Sequence, residues 1–221
     1  MKEQKIQSAS VCLRFNPEVH KEAVPASRVS ELFEQNMIDA CMIEIMEALQ
    51  MLHESGIVHA DIRPENIYLS LSSEGDIVPV ITGLEKSFPQ RQPRPYEEIS
   101  LNRYSAPETA LYVKHKGGWS SAQRITVASD QYSLGILWYE MLSGRMLTLP
   151  PECSTPYEAV LKGKDVSLSS KVDRLHRSVL SRMLEPEPEN RYKDMKEIIL
   201  DFTTAVNAEE NFHQPAEALM R

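Results

Sequence analysis

The chain has 221 residues, 42 % hydrophobic and 25 % charged, which is the composition of an ordinary globular domain with room for one well-buried core. Its net charge of −8, with 24 Lys and Arg against 32 Asp and Glu, argues against general binding to nucleic acid or to an anionic membrane. No apolar run reaches the ~18 residues of a membrane span, and the start MKEQKIQSAS has no signal-peptide core. Cys12, Cys41 and Cys153 are odd in number and outside metal spacing, which points to reduced thiols in a cytoplasmic or nuclear protein.

In chain order, residues 11–15 form one strand-like run closed by Asn16-Pro17, and residues 28–34 predict a short helix. Residues 37–53 predict a longer helix, with Ile38, Cys41, Met42, Ile45, Leu49 and Leu52 on one face and Ser55-Gly56 as its stop. Residues 67–71 and 77–81 read as two short strands joined by SSEGD, and Pro79 puts the second at a sheet edge or makes it irregular. Three prolines predict an extended loop without regular structure over residues 87–100. Residues 129–144, SDQYSLGILWYEMLSG, are apolar around most of the circumference, so this helix should be the buried central rod. Two more stripes follow, Val172, Leu175, Val179, Leu180, Met183 and Leu184, then Met195, Ile198, Ile199, Phe202, Ala205 and Val206, before the chain frays.

Behind the first long helix stands GIVHADIRPENIYL, residues 56–69. His59, Asp61 and Asn66 match the pattern His-Arg-Asp-x-x-x-x-Asn at every listed position except the arginine, which is Ala60 here. Ala106-Pro107-Glu108, then residues 129–135, SDQYSLG, and then residues 185–191, ending in Arg191, follow in order. On these four motifs the chain, over about residues 10–208, resembles the C-terminal lobe of the protein kinase family. The resemblance implies a mainly α fold of the α+β kind with a small β-hairpin region. It divides the chain into residues 1–36, a last strand of the N-terminal lobe with hinge and short helix, residues 37–208, the lobe itself, and residues 209–221, a frayed tail.

The same resemblance assigns roles. Asp61 would orient a substrate hydroxyl and take its proton, Arg63 would steady the moving phosphoryl group, and Asn66 would offer its carbonyl to magnesium. His59 would pack under the loop and Asp130 would accept hydrogen bonds from its backbone, with Glu108 and Arg191 as a buried pair bracing the lobe. Pro64-Glu65 resembles serine/threonine rather than tyrosine kinases.

Three departures bear on activity. The family's Asp-Phe-Gly should fall within VITGLEKS, residues 80–87, where one register puts Ile81 at the metal-binding aspartate and another puts Gly83 there. Neither is a ligand, and Glu85 is the only nearby carboxylate. No two of the eight glycines stand two apart, so the phosphate-covering Gly-x-Gly-x-x-Gly loop is not found, and 36 residues before Met37 are too few for an N-terminal lobe. Ala60 removes the arginine that pairs with a phosphorylated activation loop, while Lys86, Arg91 and Arg94 either bind an acidic partner or belong to a solvated loop.

The expectation is therefore a kinase-like module with impaired catalysis acting as an interaction scaffold, or else an incomplete product of a serine/threonine kinase. No cofactor is expected for this chain, and ATP and magnesium only for a complete active form. Val11, Leu13, Phe15, Leu69, Ile81 and Leu84 would line the seam that an N-terminal lobe covers. Some of them are expected to face solvent, offering a protein partner or a second copy a surface.

Overall fold

The computed structural model describes residues 24–25, 35–71, 77–92, 94–118 and 125–213. The strand, hinge and short helix expected before residue 35, including Val11, Leu13, Phe15 and Cys12, lie outside these residues, apart from a two-residue strand β1, Val24–Pro25.

Helix α1, Gln35–Glu54, starts two residues before the expected Met37 and buries the anticipated face together with Met46 and Ala48. Ser55-Gly56 ends it, with Gly56 at φ +74°, a left-handed turn that glycine adopts without steric cost. Helix α3, Val127–Ser143, follows α2, Pro107–Lys114, and is the central rod. Thr126 caps its start. The Thr126 hydroxyl accepts the Ala128 N–H, and the Thr126 N–H donates to Ser129 Oγ, both at 3.2 Å, while Gly144 closes the end at φ +63°. Leu134, Ile136, Leu137, Trp138 and Tyr139 are each no more than 1 % exposed, as a helix apolar all round requires.

Helix α4, Pro156–Leu161, packs on α2, while α5, Arg174–Met183, packs on α3. Helix α6, Met195–His213, closes the bundle against α1 and α5. One hydrophobic core joins α1, α3, α5 and α6, with the Trp138 ring edge-on to Phe202 at 5.1 Å. At Gly135 an added Cβ would stand 3.1 Å from Met183 Cβ, so a side chain there would push α3 from α5. His176 ties α5 to α1, its Nδ1 at 2.6 Å from Asp173 and its Nε2 at 2.8 Å from Asp39.

Strands β3, Ile67–Leu71, and β4, Ile77–Ile81, pair antiparallel with Ile67 opposite Ile81 and Leu69 opposite Pro79. β1 occupies the other edge of β3, so among the described residues β4 is an edge strand, where Pro79 costs no ladder hydrogen bond.

Residues 87–100 are not without regular structure. Phe88–Pro89 forms β5, paired antiparallel with β2, Ile57–Val58, because Phe88 is buried with Val58 and Ile125, and Tyr96–Glu98 is a 3₁₀ turn. Helices α2 and α4 were not anticipated. Leu69 and Ile81 do not face solvent: they are 3 % and 1 % exposed and belong to the main core, against which Leu84 packs half-buried. Cys41 and Cys153 are buried free thiols, and burial pushes the Cys41 pKa up to about 11.

Candidate active site

The loop between β2 and β3 is held from below by one carboxylate. Asp130, in the first turn of α3 and 1 % exposed, accepts the His59 N–H on Oδ2 and the Ala60 N–H on Oδ1, both at 2.8 Å. His53 Nε2, from α1, meets the same Oδ2 at 2.9 Å. This grip bends the chain through Ala60, which sits at φ +63°, a region that costs a non-glycine residue of order 1–3 kcal/mol unless its surroundings impose it.

His59 is fully buried. Its Nδ1 accepts the Asp61 N–H at 3.2 Å, so the proton lies on Nε2, which donates to the Thr82 carbonyl at 2.8 Å. The ring thus fastens the loop to the residue after β4. Thr82 returns the bond, its N–H donating to the Asn66 carbonyl at 2.8 Å.

Asp61 and Asn66 come together as the motif requires. Asn66 Nδ2 donates to both the Asp61 carbonyl and Asp61 Oδ2 at 2.8 Å. The other oxygen, Oδ1, accepts from Asn102 Nδ2 at 3.2 Å. Arg63 Nε stands 3.4 Å from Asp61 Oδ2 and 3.8 Å from Glu65, its side chain 38 % exposed. Both oxygens of the candidate base are therefore engaged by side-chain amides. Asn102 is held by its own loop: its N–H donates to Ser105 Oγ at 2.9 Å, and its Oδ1 accepts the Tyr104 N–H at 2.8 Å. Nothing in a lone asparagine among loop residues announces this.

The residue facing Asn66 across the end of β4 is Gly83. At φ +81° it begins the turn Leu84–Lys86, and an added Cβ would lie 2.5 Å from Asn66 Nδ2. Ile81 is buried in the β3–β4 pairing. Glu85 is exposed on the turn, its carbonyl accepting from Arg94. Among the described residues no group of three His, Cys, Asp or Glu is placed to hold a metal ion.

Glu108 and Arg191 meet as expected. Arg191 Nη1 and Nη2 fork onto Glu108 Oε1 and Oε2 at 2.8 and 2.9 Å, and Ser129 Oγ donates to Oε1 at 2.7 Å. A half-buried carboxylate on the same helix was not anticipated. Glu140, at the far end of α3, accepts the Tyr104 hydroxyl at 2.6 Å, and burial raises its pKa above the usual carboxylate range. Of the basic loop residues, Arg91 is exposed, Arg94 pairs with Glu98 at 2.9 Å, and Lys86 is half-buried.

Comparison with known proteins agrees with this geometry. A family model described as the protein kinase domain matches residues 7–202. The serine/threonine-protein kinase AtPK1/AtPK6 of Arabidopsis thaliana is 31 % identical over 163 residues, which are 72 % of this chain and 31 % of that one. A probable serine/threonine-protein kinase of Clostridium acetobutylicum is 28 % identical over 188 residues, 79 % of this chain and 25 % of the relative. The cGMP-dependent protein kinase 2 of Homo sapiens is 28 % identical over 170 residues, 76 % of this chain and 21 % of the relative. The chain thus spans between about a fifth and a third of the length of these relatives. The family model covers most of the chain, and the chain belongs to the protein kinase family.

Proposed function

We propose that this chain is a protein-kinase-like interaction module whose phosphotransfer chemistry is impaired. The observation that carries the reading is the glycine opposite Asn66, where the family places a magnesium-binding aspartate. Family resemblance implies ATP and magnesium in active members, and the residues present here do not fit them. Gly83 offers no side-chain oxygen, and its close approach to Asn66 leaves no space for a side chain that could supply one. We therefore assign magnesium–ATP no step in this chain.

Loss of one preorganised electrostatic group costs about 10²- to 10³-fold in rate. The proposed role is engagement of a protein partner, with self-association as the homotypic case. A thermal-shift titration with ATP, with and without magnesium, tests it, and the expected result is no magnesium-dependent rise. Ligand at 100 times its Kd would add about 2.7 kcal/mol, so a rise of several degrees only with both present overturns the reading.

The second reading is a serine/threonine kinase whose nucleotide-gripping half comes from outside these residues. It is favoured by the bonded geometry of Asp61 and Asn66 and by the serine/threonine kinases among the relatives.

A further inference from the structure

Helix α5 turns one stripe outward, Arg174, Arg177, Ser178 and Ser181, spaced at steps of three and four and all exposed. Lys171, also exposed, stands just before it. Residues 162–182 carry six Lys and Arg against two Asp, a balance of +4 in a chain of −8, which leaves −12 on all the other residues. Of the six cations, Lys162, Lys164 and Arg182 pair with Glu158, Glu152 and Glu197. Lys171, Arg174 and Arg177 meet no carboxylate among the described residues, and Arg177 donates to the Val172 and Ser170 carbonyls at 2.8 and 3.5 Å. Asp173, beside them in sequence, is taken up by His176 and Gln35. Nor do these cations serve the helix. Arg174 and Arg177 lie in its first turn, where the helix dipole is positive and disfavours a cation.

The stripe runs into a cleft. Ser181 borders a cavity of about 210 Å³ walled by Leu147, which follows α3, Val160 on α4 and Leu184 at the end of α5, with exposed Lys164 and Asp165 at its mouth. The volume lies below the ~300 Å³ lower end of small-molecule sites, so it suits one apolar side chain. Arg174 is two turns of α5 from Ser181, about 10 Å along the axis. Three residues of extended chain span that distance.

We propose that the outward face of α5 and the cleft beside it dock an acidic segment of a partner protein. One apolar side chain of the segment enters the cleft, and carboxylates within about three residues of it meet Arg174, Arg177 and Lys171. Charge complementarity selects the occupant. The stripe carries serines where a membrane-bound helix needs large apolar side chains, and the −12 on the remaining residues repels a polyphosphate chain. The inference rests on the interaction-module reading and deepens it by naming the surface and the chemistry of the segment. It requires neither nucleotide nor phosphotransfer.

The test is an NMR titration of the ¹⁵N-labelled full chain. The probe is a peptide pool with one central leucine and glutamates at randomised flanking positions, and the controls replace leucine by serine or glutamate by glutamine. Saturable shifts at Ser178, Ser181, Leu184 and the Arg174 Nε–H, produced in full only by the probe pool and reduced by added salt, are expected. Lys171→Glu with Arg174→Glu should weaken binding by at least about tenfold, while the melting temperature holds or rises, because a carboxylate suits the first turn of a helix. Ser181→Phe, at the mouth of the cleft, should reduce the probe pool to the level of the serine control. Equal shifts with the glutamine pool, no saturation at millimolar peptide, or a charge-reversed chain that binds as tightly as the parent overturns the proposal. So does a stronger response of the same residues to phosphatidylserine vesicles or duplex DNA, or concentration-dependent sedimentation that Arg174→Glu abolishes, which would make the occupant a second copy. Such a failure leaves the magnesium–ATP measurement untouched, so the two readings fail separately.

Discussion

Removal of Arg191 should be among the most damaging single changes this chain can suffer, and the bonds show why. All five N–H groups of its guanidinium are used: Nε on the Glu185 carbonyl, Nη1 on Glu108 and the Ala128 carbonyl, and Nη2 on Glu108 and the Pro186 carbonyl. The Arg191 side chain is 0 % exposed and that of Glu108 3 %, so water cannot replace what is lost. Arg191→Ala leaves a buried carboxylate with only the Ser129 hydroxyl, and breaking such a pair costs about 3–5 kcal/mol. For a domain of this size that corresponds to a fall in Tm of about 6–20 °C. Glu108→Ala should cost less, because the guanidinium keeps three carbonyls. The double variant should fall well short of the sum, with a coupling of about 1–3 kcal/mol. Urea unfolding followed by fluorescence, with buried Trp138 as one reporter, and by far-UV circular dichroism supplies the four free energies. Additivity within about 0.5 kcal/mol, or an Arg191→Ala loss below about 1 kcal/mol, would refute the reasoning.

Gly83→Ala should destabilise by about 2–5 kcal/mol, combining the left-handed backbone with overlap on Asn66. Gly163→Ala, at φ +65° with nothing within 4 Å, isolates the backbone part, and equal losses in differential scanning calorimetry would show that the contact with Asn66 is not tight. Burial lowers the His176 pKa, but Asp39 and Asp173 more than offset it, so the folded value lies above the ordinary 6.5. The stability this clamp contributes is therefore complete below the unfolded value and is lost as pH rises through the folded one. The penalty of His176→Gln, measured by chemical denaturation from acid to alkaline pH, should shrink as pH rises, and a constant penalty would show that the imidazole bridges as a neutral ring.

The long helices were legible because their burial is periodic: the stripes of α1 and α6 need only the 3.6-residue repeat to be read. Glu108, Asp130 and Arg191 were legible as members of ordered motifs, and each stands where its motif requires. Helices α2 and α4 escaped notice because eight and six residues hold too few turns to show a stripe. Their signal was at the N-terminus instead, proline in the first helical position and, for α4, Thr155 three residues before Glu158. The β2–β5 ladder joins residues 30 and 32 apart through two pairs, a contact no local pattern encodes. Asn102 was invisible for the same reason, since 41 residues separate it from the Asp61 oxygen it meets. Of the six seam residues, Leu69 and Ile81 lie in the core because a strand near a lobe boundary can turn its apolar residues inward.

The carboxylate of Asp130 has a consequence for how this site can change. It grips the loop from the central helix through two backbone N–H groups, which every residue except proline possesses. The course of the loop through His59 and Ala60 is thus set from α3 by bonds that do not depend on the side chain at position 60. Chemistry and shape are separately inherited here. A glycine can replace a metal ligand, or an alanine an arginine, while the backbone keeps its course, and a partner that reads the contour would meet the same surface. A loop of familiar outline is accordingly a record of its anchor, and only the side chains projecting from it speak to catalysis.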